Sequence, residues 1–467
     1  MKKIITILFA AVFVVLVYNG CEDKTDLTAP QLNPKSGNVD LTRFVTIGNS
    51  LTAGFQSNAL YQSAQKYAFG NQIAEQVGTN FATPYISDPG IGGLMEVQSF
   101  DPTKLQISVI QEGSTGTPLE TAYPAPYNNL GIPGALLYDV LNATNSTNCA
   151  SALNGGGPNP FFDIILRGQG NQFDQAKALH PSFIILWIGN NDILGYATAG
   201  GTVGHTPINM FQFLYSQLAD SIASLGAKVV VANIPDVTSI PFFTTAGPAI
   251  ALMMSQMQVP TFYYQVSGAT PTIGQATPLD LLGLKILVTL KGVSYAGDVT
   301  GKFYKDYTNG VVPPGVNTQH PFGFYPDNPF PDAFVLDQSE IDTAKTVTAS
   351  YNNTISAIAQ AKGFGLFDIN SFFNNVAQNG LSENGINFTT DYITGKLFGL
   401  DGVHPTSEGQ AILANEFIKV INSKFGASIP LIDVSTVPNS LILTGQTSSS
   451  GKIIPSFSAH MFDHVLY

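Results

Sequence analysis

Ser50, Asp401 and His404 are the residues of this chain best suited to carry out chemistry together. Ser50 stands in Gly48-Asn49-Ser50-Leu51, directly after an apolar stretch, and Asp401-Gly402-Val403-His404-Pro405 lies near the other end of the chain. A serine hydroxyl attacks an ester poorly unless a base takes its proton, and an imidazole base needs a third group to fix its tautomer. A serine, an imidazole and a carboxylate supply those three roles. Each motif also has a purely structural reading: Ser50 as a helix cap, and Asp401 to His404 as a turn before a helix that Pro405 and Ser407 begin. The two readings of the second motif are compatible.

The elements that must position these residues follow from the pattern of apolar positions. Residues 44–47 read as a short strand ending at Gly48, with a helical pattern over 61–76. Residues 182–188 are apolar after the first, as expected of a strand buried on both faces. A helix is expected over 207–225, a strand over 228–233, a helix over 338–361, a strand over 364–369 and a last helix over Ser407–Phe425. Ser407 and Gln410 have the spacing of a capping box at its start, and a helix is expected over 135–141. Strand-helix alternation predicts a parallel sheet covered on both faces. In such sheets sites gather at the carboxyl ends of strands, where Ser50 and Gly189-Asn190-Asn191-Asp192 both fall.

At this point the chain resembles the SGNH, or GDSL-type, hydrolase family. Four signature blocks occur in order: Gly48-Asn49-Ser50-Leu51, Asn129-Leu130-Gly131-Ile132-Pro133-Gly134, Gly189-Asn190-Asn191-Asp192, and Asp401-Gly402-Val403-His404-Pro405. Asn49 stands where the commonest version has Asp. It keeps an accepting oxygen but lacks the charge. The resemblance anchors Arg43 to about Phe425 and leaves most of residues 236–337 unexplained. It implies a three-layer α/β/α fold, flavodoxin-like, with a parallel sheet between helices. It also implies ester hydrolysis with Ser50 as nucleophile, His404 as general base and acid, and Asp401 orienting His404. The implied oxyanion donors are the Ser50 and Gly134 backbone N–H groups and the Asn191 amide; Gly131 is the competing glycine. No metal or organic cofactor is implied, and His180, His205, His320, His460 and His464 lack metal-ligand spacing.

Composition narrows the partners. Of 467 residues 44% are hydrophobic, enough for a sizeable core, and the net charge of −12 argues against nucleic acid. Lys2 and Lys3 precede an apolar run to Val17, so residues 1–20 read as a signal peptide, too short for a membrane span. Gly20-Cys21 is similar to a bacterial lipoprotein cleavage site, although Tyr18 stands where that pattern prefers Leu. On that reading Cys21 is lipidated, and residues 21–40 form a polar tether of on the order of 25 Å as a coil. A Cys21–Cys149 disulfide is the alternative use of the chain's 2 cysteines.

The expected organisation is therefore signal peptide, lipidated Cys21 and tether, a hydrolase domain over 41–425, and a C-terminal extension over 426–467. Residues 236–337, rich in Phe, Tyr, Pro, Gly and Met, form an inserted subdomain. It serves either as an acyl-binding wall or lid, with Met253, Met254 and Met257 as candidates, or as a buttress. A strand is expected within 431–443. The expected partners are an acyl-ester or lipid substrate and a membrane, reached through the lipid anchor in an extracytoplasmic, outer-membrane setting. Deacetylation of a polysaccharide and acyl transfer are alternatives on the same fold. A surface binding lipoprotein without turnover, or a carbohydrate-capture lipoprotein of helical fold, are alternatives of another class.

Overall fold

The computed structural model describes residues 36–37, 39–101, 106–111, 113–266, 268, 272–438 and 454–462. The expected signal peptide, Cys21 and the tether up to residue 35 lie outside the described residues, as does His464. Among the described residues no helix is long and apolar enough to cross a membrane.

Short apolar runs bounded by glycine or polar residues form one parallel sheet. Its strands are β1 (Phe44–Gly48), β2 (Asn129–Gly131), β3 (Phe183–Trp187), β4 (Lys228–Ala232) and β5 (Gly365–Phe367), in the order β5-β4-β3-β1-β2. Every pairing between them is parallel. All residues of β1 and β3 are buried, which is why these strands read as unbroken rather than alternating apolar runs.

Around the sheet lie α1 (Ser50–Ala53), α2 (Phe69–Val77), α3 (Gln172–Ala178), α4 (Asn191–Thr198), α5 (Ile208–Ala223), α6 (Gln338–Lys362) and α7 (Ser407–Phe425). The chain crosses outward from β1 to β2 through α2, then returns past β1 to β3 through α3, and continues to β4 and β5 through α5 and α6. Right-handed crossovers place α2 on one face and α3, α5 and α6 on the other. Helix α7 packs on α2 and on β4 and β5, completing three layers. Phe69 of α2, Phe417 of α7 and Trp187 of β3 meet at centroid distances of 4.8, 6.1 and 6.2 Å. Phe211 of α5 stacks on Tyr351 of α6 at 3.8 Å. The fold is the expected α/β/α sandwich, and its parallel sheet overturns the helical-fold alternative.

Three local expectations need correction. The helical pattern over 61–76 is split into Gln62–Gln65 and α2, with a turn at residues 66–68 that brings Phe69 into the core. Residues 135–136 are irregular, 137–138 form a turn, and only Asp139–Asn142 is helical. Side chains take the donors a helix would have used: Asp139 accepts from Leu136 N and Ala150 N, and Asp192 from Leu137 N. Helix α7 is capped by Thr406, whose Oγ1 accepts from Gly409 N at 3.0 Å, not by a Ser407–Gln410 box. Gln410 is instead used across the fold: it accepts from Phe69 N and donates to Leu51 O, both at 3.0 Å.

The segment 236–337 contains the helix Ala246–Met257, a hairpin of Phe262–Val266 with Thr272–Ala276, and an aromatic group in which buried Phe322, Phe330 and Phe334 pack with half-buried Phe303. In the expected edge-strand region, residues 434–436 form a 3-10 turn and residues 439–443 lie outside the described residues. The extension is used elsewhere: Ile454–Ser456 pairs with Gln106–Gln111, itself paired with Met95–Asp101 in a small second sheet. Cys149 is buried, with its Sγ 3.1 Å from Ser146 O.

Candidate active site

The site begins as a register. Gly48 of β1 lies opposite Gly131 of β2 and Trp187 of β3, so the loops carrying Ser50, Gly134 and Asn191 leave the sheet from one row. The chain also changes direction here, since β2 and β3 flank β1 on opposite sides. Such a switch point opens a crevice at the strand ends.

Close packing of α1 over this edge explains the glycines. A Cβ on Gly48 would lie 2.2 Å from Thr52 Oγ1, and one on Gly131 would lie 2.3 Å from Ala53 N. Gly131 therefore makes room for α1. Gly134, by contrast, sits in a turn at φ +79°, where an L side chain is strained. Asn49 is buried and caps α1, its Oδ1 accepting from Leu51 N at 3.1 Å. The oxygen an Asp would present at this position is thus in use without the charge.

Ser50, His404 and Asp401 are brought together in one hydrogen-bonded chain. Ser50 Oγ lies 2.9 Å from His404 Nε2, and His404 Nδ1 lies 3.0 Å from Asp401 Oδ2. All three are buried. The Asp401 carboxylate also accepts from Val403 N, His404 N and Asn58 N, each at 2.8 Å. Burial pushes the Asp401 carboxyl up. The charge and hydrogen bond of His404, with the two loop N–H donors, outweigh this and leave it below the usual carboxylate value.

The second half of the site joins the loop after β2 to the start of α4. Asn191 Nδ2 donates to Ala135 O at 2.9 Å, which fixes the amide and leaves its other N–H available. Asp192 takes Leu137 N at 2.9 Å and Thr206 Oγ1 at 2.7 Å. Gly134 is tied to Asn191 through its neighbour Ala135 but does not itself line the cavity beside Ser50. That cavity is bounded by Asn49, Ser50, Asn190, Asn191 and His404 on the polar side, and by Leu194, Ile240, Phe373, Phe398 and Val403 on the apolar side. Among the described residues of the segment 236–337 only Val237, Ser239 and Ile240 reach it, and none of Met253, Met254 or Met257 does. The segment also braces the histidine loop: Phe242 N donates to Gly402 O at 3.0 Å.

Burial of Asp139 and Asp192 raises their carboxyls to about 6 and about 7. A carboxyl raised on folding contributes stability that is fully present below its unfolded value near 3.9 and is lost as pH rises through the folded value. Stability is therefore expected to decline between about pH 4 and 7 by on the order of a few kcal/mol, through these two groups. Urea unfolding across that range checks it, and Asp139→Asn is expected to flatten the slope.

Several positioning residues carried no sequence signal. Asn58 and Ser57 have positive φ and hold the distant Asp401 loop, Ser57 Oγ accepting from Leu400 N at 3.1 Å. The Phe55 ring lies 4.7 Å from the His404 ring. Only the tolerance of Asn for left-handed backbone hinted at Asn58. Among the described residues no group of three or more His, Cys, Asp or Glu side chains gathers as a metal site.

Residues 290–417 match the GDSL-like Lipase/Acylhydrolase family model. That match, confined to the C-terminal part of the chain, supports an SGNH/GDSL-type hydrolase family. The matched span contains the Asp401–His404 block, and the fold supplies the blocks that lie before it, at Ser50, Gly134 and Asn191. No curated protein matches the chain. Among solved structures, LAE5, an alpha/beta hydrolase enzyme from the metagenome of Lake Arreo, Spain, is similar at 10% identity over 81% of this chain and 94% of that one. Its TM-score is 0.33, too low to bear on the function of this chain.

Proposed function

We propose that this hydrolase cleaves carboxylic esters through an acyl-Ser50 intermediate. The observation that supports this is the continuous chain from Ser50 Oγ to His404 Nε2 and from His404 Nδ1 to Asp401, at 2.9 and 3.0 Å, beside a cavity. His404 Nε2 takes the Ser50 proton as Oγ bonds to the ester carbonyl carbon. Asp401 holds the Nδ1–H tautomer and stabilises the imidazolium that forms. The oxyanion is met by the Ser50 N–H and the free N–H of Asn191, while Gly134, the third donor the resemblance implies, lies outside the cavity lining. The carbon–oxygen bond to the alcohol then breaks as His404 protonates the departing oxygen. Water enters, His404 removes its proton, and the acid leaves while Ser50 regains its hydrogen. Chromogenic ester hydrolysis by the full chain tests this reading, which fails if no ester is turned over by a folded protein.

The setting belongs to the same proposal: a lipoprotein anchored at Cys21 in the bacterial outer membrane, facing outward from the cytoplasm. Its support is the Lys2-Lys3 start, the apolar run and Gly20-Cys21. Expressed in a bacterium with labelled palmitate, the wild type is expected to take up label and Cys21→Ser to lose it. Equal labelling of both would remove the anchor from the account.

A further inference from the structure

Two cavities of very different size meet at Asn191. One is the slot beside Ser50, about 40 Å³. The other is an open cleft of about 930 Å³ between the loop after β2 and the start of α5. On the same measure the slot is far the tighter of the two. Tyr138, Leu153, Val203, Met210 and Phe213 line it, and Asn191 belongs to both linings. Leu153, Val203, Met210 and Phe213 are 60%, 48%, 48% and 56% exposed, which is unusual for a run of large apolar side chains.

An ester whose carbonyl oxygen meets the Asn191 amide has two substituents, and they must leave the carbonyl in different directions. The acyl group stays bonded to Ser50 through both steps, and Ser50 lines the slot and not the cleft. The alcohol must depart after the first step and water must replace it, which the open cleft permits. The slot's walls are largely apolar, so its tightness and one buried amide, not its overall polarity, limit the acyl group. Asn190 forms part of its wall, and both polar atoms of that buried amide are without a protein partner. A long hydrocarbon would cover the amide without pairing it, whereas a short acyl group leaves room for water to do so.

We infer that the enzyme hydrolyses esters joining a short acid, of acetyl size, to a bulky apolar alcohol held in the cleft. This rests on Ser50 being the nucleophile. It narrows the expectation of an acyl-ester or lipid substrate: a long chain belongs on the alcohol side.

Octyl acetate and ethyl octanoate test the assignment, since they are isomers with the long chain on opposite sides of the ester. With the full chain, kcat/KM is expected to favour octyl acetate by about tenfold or more, the scale set by a few methylenes fitting or not fitting a pocket. Phe213→Ser, at an exposed position, is expected to lower kcat/KM for octyl acetate about fivefold more than for ethyl acetate. Preference for ethyl octanoate, or equal loss on both acetates, would overturn the inference. If those esters are cleaved in a Ser50-dependent way with the wrong preference, the inference alone falls. If no ester is cleaved, both it and the underlying reading fall.

Discussion

Ser50→Ala is expected to lower kcat on p-nitrophenyl acetate by on the order of 10⁴–10⁶, leaving only what the oxyanion donors and binding provide. The loss is large because Oγ is the atom that bonds to the acyl carbon, and it is the hydroxyl hydrogen-bonded to His404 Nε2. Stability should change little. Ser50 Oγ has His404 Nε2 as its partner, so the variant gives up one buried hydrogen bond, about 1 kcal/mol. Matched urea unfolding curves would therefore separate lost chemistry from lost fold. A variant retaining more than about one hundredth of wild-type kcat would place the nucleophile elsewhere.

Asp401→Asn is expected to lower kcat by about 10⁴ while preserving much of the loop. The amide can still accept through one oxygen, but the group facing His404 Nδ1 becomes a donor or a neutral acceptor. Either change removes the charge that favours the imidazolium. Asp401 also accepts from the N–H groups of Asn58, Val403 and His404, so this substitution should destabilise the fold as well. Asp401→Ala leaves those three buried donors unpaired at about 1–3 kcal/mol each, and is expected to unfold at markedly lower urea than Asp401→Asn. The pH signature has a definite sign. Asp401 is held below its unfolded value, so its stabilisation is present above that value and lost as pH falls through the folded one. This acid-side loss opposes the gain from Asp139 and Asp192 on acidification.

The sheet was legible because burial on both faces leaves a plain mark: the runs at 44–47, 182–188 and 228–233 contain few polar residues to interrupt them. The long helices were legible from apolar spacing, with α7 spanning the expected Ser407–Phe425. The end of a helix is a finer matter. Thr406 and Ser407 are adjacent and both can cap, and only the backbone geometry gives the role to Thr406. The loop at 135–138 was misread as helical because its backbone donors are taken by carboxylates, one from Asp192 far along the chain.

Ser50, Asn191, Asp401 and His404 were nameable in advance because reactive side chains come in few combinations. Their supports were not. Ser57 and Asn58 touch the Asp401 loop across 343 residues of sequence, a contact that leaves no local pattern. The cavity walls at Phe373 and Phe398 are likewise ordinary core residues until the fold brings them beside His404. The methionines at 253, 254 and 257 illustrate the converse. Composition made them candidates for an acyl wall, whereas the segment reaches the cavity through Val237, Ser239 and Ile240.

The most direct measurement is intact and peptide mass spectrometry of the enzyme quenched during turnover of p-nitrophenyl acetate. An added acetyl group is expected on the peptide carrying Ser50, formed and lost at rates consistent with turnover and absent from Ser50→Ala. Turnover without that adduct, or an adduct at another residue that persists in Ser50→Ala, would contradict it.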